Sequence, residues 1–184
     1  RNDGEFAVID GAFLAGSLEN EGTLRVAAGA KLILPQRARG GVTSQVLGEG
    51  ALEFGRRAPG ASAAQLADAE WNGEVLTGGP LTVVAGTVTL WRSLTLPGQS
   101  VTLQNGALLK LLAPAELGAL SLTSGTLSLQ ADSRIGALTG LDRSGVIDTA
   151  GLTRVLGDAQ FPGLGVTGAG VLALEGTTVI SNGT

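Results

Sequence analysis

Four arginines and two tryptophans carry the contact chemistry that stands out in this chain. Arg37 and Arg39 lie in Pro35-Gln-Arg37-Ala-Arg39-Gly-Gly, and Arg56 and Arg57 in Gly55-Arg56-Arg57-Ala-Pro59-Gly. Both segments are bounded by Gly and Pro and read as loops. Arg56 follows Arg37 by nineteen positions. Guanidinium groups leaving one corner of successive turns would engage phosphates or acidic side chains through planar, bidentate hydrogen bonds. The plainer role is solvated loop charge, since most surface arginine does nothing specific. Trp91 follows Trp71 by twenty positions, and the two are expected at equivalent places in neighbouring turns. They would serve there either as a buried packing pair or as an exposed aromatic shelf on which sugar rings or bases stack.

Reaction chemistry has less to work with. The chain contains no His and no Cys, which removes Ser-His-Asp and Cys-His arrangements and the usual zinc sites. Carboxylate pairs with same-face spacing in a strand are Glu19 with Glu21, Glu49 with Glu53, and Asp68 with Glu70. Such pairs serve sugar hydrolysis when they flank one glycosidic bond, but none recurs at a fixed period to build a cleft. The Gly-rich runs lack the Lys-Ser/Thr ending of a phosphate loop, and no Gly-Gly-x-Gly-x-Asp calcium repeat occurs. Asn2 to Glu5 and Asn20-Glu-Gly are polar turns that could hold a cation weakly. The expectation is a chain with no catalytic, cofactor or metal-binding residues.

An internal repeat dictates what positions the six contact residues. Leu81-Thr-Val83-Val-Ala-Gly86-Thr-Val88-Thr-Leu90 alternates apolar residues on both sides of a central glycine. The frame returns at Val101, Leu103, Gly106 and Leu108, and again at Leu120, Leu122, Gly125, Leu127 and Leu129. A looser copy runs through Leu24, Val26, Gly29, Leu32 and Leu34, and a degraded one through Leu172, Leu174, Gly176 and Val179. Period-2 alternation over short runs means strands with one buried face, and the glycine between two strands marks a sharp corner. A spacing of about 20 residues is one coil of a solenoid whose strands pair with those of the next coil. The fold expected is therefore all-β, a single parallel β-solenoid over residues 1–184 with short loop or helical excursions at 62–70 and 149–156. A β-sandwich is the rival architecture. The predicted register stacks Val83, Leu103 and Leu122 in one interior column.

Composition agrees with thin, regular layers. Hydrophobic residues make up 43% of the chain but aromatics only 3%, so the interior must be Leu, Val, Ile and Ala. The 30 glycines exceed the usual share of about 7%. Of 12 basic residues only two are Lys, a hint of a GC-rich or thermophilic source. No apolar run approaches the about 20 residues of a membrane helix. The absence of Met suggests a piece of a larger surface protein.

The frame around Gly22-Thr-Leu24, Gly86-Thr-Val88 and Gly125-Thr-Leu127 resembles bacterial surface β-solenoids, among them autotransporter passengers and filamentous adhesins. Its Ala/Leu/Gly/Arg-rich, Cys-free character also resembles the solenoid inserted in competence-associated type IV minor pilins of the ComZ type from Thermus. That resemblance implies an extracellular place at a pilus tip, a partner in another minor pilin or an adjoining domain, and a part in the uptake of extracellular DNA. The formal net charge of −4 opposes direct binding of nucleic acid. It leaves tip display and partner docking as the role of this segment, with DNA contact confined to a local Arg edge or an adjoining domain. The alternatives are an adhesin that binds glycan or a host surface and, behind it, a polysaccharide-degrading β-helix enzyme.

Overall fold

The computed structural model describes residues 1–34, 36–56, 64–140 and 144–180. They form a parallel β-solenoid of about eight turns, each of about 20 residues. A coil near the start runs through three strands, Thr23–Val26, Lys31–Leu34 and Arg37–Gly40, and each strand pairs in parallel with its counterparts in the neighbouring coils. The rod therefore has three faces. From Leu94 onward three strands, Leu94–Leu103, Ala115–Leu122 and Ser133–Gly140, run without interruption from the first face onto the second. The register shift between Leu96 and Ser100 marks that bend. Glycines make the later corner narrow. A Cβ on Gly136 would lie 2.3 Å from the Gly118 carbonyl oxygen, and one on Gly157 would lie 2.4 Å from that of Gly136, closer than any side chain tolerates.

The predicted column is present. Val83 pairs with Leu103 and Leu103 with Leu122, and the column continues backwards through Phe54 and Leu34. All five are 2% exposed or less. Burial of each such side chain stabilises the fold by about 1.5–3 kcal/mol, and the polar, β-compatible partners Thr82, Thr102 and Ser121 stand half-exposed on the other side of the same strands.

Four expectations are corrected in detail. First, the frame is not in phase throughout. Residue 107, an alanine, and not Gly106, stands between Gly86 and Gly125, because Val88 pairs with Leu109 and Leu109 with Leu127. The extra residue is absorbed by a tight turn in which Asn105 and Gly106 both have positive φ, 49° and 71°. Second, the looser copy at Leu24–Leu34 and the degraded one at Leu172–Val179 span the corner from first to second face. The repeats around Gly86 and Gly125 span the corner from second to third. Third, no helix forms at 149–156, where Leu152–Val155 is a strand and Thr149 and Thr153 point inward, their hydroxyls 2.9 Å apart. In the other expected excursion, Ala67–Trp71 is likewise a strand; Ser62 and Ala63 lie outside the described residues. Fourth, Arg37–Gly40 is a strand of the third face and not a loop.

Candidate functional site

The third face carries the residues singled out for contact. Its strands Leu18–Asn20, Arg37–Gly40, Ala67–Trp71 and Gly86–Leu90 stack in register. One outward row reads Glu19, Arg39, Glu70, Thr89. The next reads Gly41, Asn72, Trp91, whose backbone N–H groups donate to the Asn20, Gly40 and Trp71 carbonyl oxygens, each at 2.9 Å. Successive members of a row are one strand spacing apart, about 4.8 Å.

The two tryptophans are not equivalent. Trp71 pairs with Leu90 and not with Trp91. Trp71 is fully buried, while Trp91 is 51% exposed. The Trp71 indole lies over Gly40, where a Cβ would sit 2.3 Å from Cδ2; the bulkiest side chain of the core is admitted by a neighbour that has none. Its Nε1 has no hydrogen-bond partner among the described residues. Trp91, one residue past Leu90, faces outward instead.

The arginines divide in the same way. Arg39 is engaged from three sides: Nη2 lies 2.9 Å from Asp68 Oδ2, Nε 3.6 Å from Glu70 Oε2, and Nη1 donates to the carbonyl oxygens of Ala38 and Asp68. Arg37 is exposed and sits opposite Asp68. Arg56 bridges antiparallel to Gln65 at the neck of the excursion between second and third faces, and Arg57 lies outside the described residues. Of the four arginines expected on one edge, Arg37 and Arg39 thus share a strand in which Arg39 is ion-paired, and Arg56 stands at the neck beside the second face. Of the carboxylate pairs, Asp68 and Glu70 both hold Arg39, and Glu53 is bound by Lys31 at 2.9 Å. The Asn20 amide donates to the Gly22 carbonyl oxygen and accepts from Asn2, so it is committed to closing the first coils.

Around Trp91 a groove of about 360 Å³ opens, lined by Arg1, Glu19, Glu21, Arg39, Glu70 and Asn72, with Gly40 and Gly41 on its floor. The Arg1 guanidinium at its margin is bonded to Asp3 at 2.8 Å, which raises its pKa further above the ordinary arginine value. Glu21 Oε2 accepts from the Thr43 hydroxyl at 3.2 Å. No family model, curated protein or solved structure matches the chain.

A second groove, about 560 Å³, lies on the first face of later coils and is lined by Glu116, Asp132, Arg134 and Arg154 among others. Arg134 and Arg154 are direct cross-strand neighbours, and Arg154 is bonded to Glu175 at 3.2 Å. Sequence reasoning missed this pair, although the two stand twenty positions apart, the very period used to align the other arginines.

Proposed function

We propose that this chain is a non-catalytic extracellular interaction and display module, the solenoid of a competence pilus-tip minor pilin that serves DNA uptake. The observation that carries the module reading is the filled interior. From Val8 to Phe161 the apolar columns form one contiguous buried cluster, so the faces and grooves such as these are where another molecule meets this rod. The pilus setting rests on the resemblance of an Ala/Leu/Gly/Arg-rich, Cys-free solenoid to that of those minor pilins. Within that setting another minor pilin or an adjoining domain is the partner. Phosphate contact falls to Arg134 and to Arg37, while Arg39 is already paired with Asp68 and Glu70 and Arg154 with Glu175.

The test is made in the source organism. The segment is replaced by a short Gly-Ser bridge, and pilus assembly and transformation frequency are scored side by side. Transformation abolished with assembly intact supports the proposal; unchanged transformation rejects the competence setting. In the intact protein, replacing Arg37 and Arg134 by Ser should flatten the log–log salt slope of DNA binding by about 0.9 for each phosphate that is no longer neutralised. An adhesin that binds glycan is the second reading, and the exposed Trp91 is the observation that favours it.

A further inference from the structure

We propose that the groove beside Trp91 is a binding subsite for a neutral saccharide, lying along the solenoid axis. The inference rests only on the reading of the chain as a displayed binding module, and it holds for a pilus tip and an adhesin alike.

Three features converge on this ligand class. Trp91 offers a half-exposed indole on an outer face of a chain whose other tryptophan is buried, and the apolar face of a pyranose ring stacks on such a surface as nucleic-acid bases do. Beside it stand groups that match the other, hydroxyl-bearing edge of a sugar. The Asn72 side-chain amide, one row position away, has no hydrogen bond among the described residues, and it supplies both donor and acceptor. Glu70 is oriented by Arg39 through Oε2, and its Oε1 has no partner among the described residues, so it is available to accept from a hydroxyl. The third feature is the floor. Gly41 adds no side chain to this row, and the Glu21 carboxylate lies over it in the space a Cβ would fill, two strand steps from Trp91, about 10 Å away. A ligand of two sugar units laid along the row therefore reaches from the indole, past the Asn72 amide, to the Glu21 carboxylate.

The charge of the site selects among saccharides and against nucleic acid. Glu19, Glu21 and Glu70 line the groove, with Asp3 and Asp68 at its edge, against Arg1 and Arg39. Both guanidinium groups are already bonded to carboxylates. An entering uronate or phosphate would meet net negative charge, with both lining guanidinium groups already paired, whereas neutral hydroxyls find carboxylate acceptors.

The whole chain is titrated with cellotetraose, chitotetraose, tetragalacturonate and oligothymidylate by calorimetry, which also reads the Trp91→Ala variant, while tryptophan emission and acrylamide quenching are followed in the unaltered chain. Trp71 is buried, so the quenchable signal belongs to Trp91. One or both neutral probes should protect Trp91 saturably in the millimolar range or tighter. The acidic sugar and the oligonucleotide should bind at least tenfold more weakly. Trp91→Ala should weaken binding of the neutral probe at least tenfold, and Glu70→Gln several-fold, with the circular dichroism and melting of both variants unchanged. Binding that survives Trp91→Ala, no saturation by either neutral probe, or a preference for oligothymidylate or the uronate would each overturn the proposal. None of these results bears on transformation after segment replacement, so the saccharide site and the pilus setting fail separately.

Discussion

Gly40→Ala is the smallest change that challenges the packing of the third face. The new methyl carbon would lie 2.3 Å from Trp71 Cδ2, 2.4 Å from Cε2 and 2.7 Å from Ser44 Oγ. Carbon atoms in good contact sit about 3.5–4.0 Å apart, so more than an ångström has to be recovered. Neither side can yield easily: Gly40 is held in register by its strand pairing with Trp71, and the indole is enclosed by core. Overpacking typically costs about 1–3 kcal/mol, and this geometry places the cost at about 3 kcal/mol, the upper end of that range. For a chain of this size that lowers Tm by about 6–12 °C. Trp71→Leu alone should cost a similar amount through weaker packing, roughly 3 kcal/mol. Leucine leaves room for the methyl, so the double variant should be scarcely less stable than Trp71→Leu, with a coupling of about 2–3 kcal/mol. Calorimetry and urea titration of the four proteins measure this cycle, and Trp71 emission reports the local change directly. Additive effects, within about 0.5 kcal/mol, would refute the account of Trp71 as a ring admitted by a missing side chain.

Leu103→Ala, in the middle of the Val83–Leu103–Leu122 column, should destabilise by about 2–5 kcal/mol, read as a fall in the urea midpoint with little change in slope. Thr153→Val strips a buried hydroxyl from its partner and should cost about 1–2 kcal/mol; a neutral result in the same titration would mean that the Thr149 hydroxyl is satisfied by the Gly151 carbonyl alone. Arg39→Ser removes ion pairs to two mostly exposed carboxylates and should change stability by less than about 1 kcal/mol, measurable as a near-constant Tm. The unaltered chain should melt above about 50 °C, because stacked coils satisfy most strand hydrogen bonds internally.

The interior column is legible in the sequence because alternation about a glycine fixes which residues share a face, whatever the length of the coil. Outward positions are not, since coil length varies. In the inward row through Trp71, Leu90, Leu111, Leu129 and Thr149 the successive steps are nineteen, twenty-one, eighteen and twenty. A count of twenty from Trp71 thus overshoots by one, and a one-residue slip turns a side chain from core to solvent. The excursion after Arg56 upsets the arginine alignment more severely. It puts Asp68, the true neighbour of Arg37, thirty-one positions along the chain, so a fixed period does not reach the acidic partners that neutralise Arg39. The stretch at 149–156 reads as helix because its local sequence tolerates one, whereas pairing with the coils on either side imposes a strand.

The parallel stacking has a mechanical consequence. Backbone hydrogen bonds between coils run along the rod, so tension applied between its first and last coils pulls on them in series and loads only the outermost strands at any moment. Such a molecule peels instead of shearing. Each coil set free releases about 20 residues, or about 66–72 Å of extended chain, before the next begins to bear the load. A tether made this way lengthens in steps under pull, limits the force passed to whatever it holds, and rewinds one coil at a time when the tension is released.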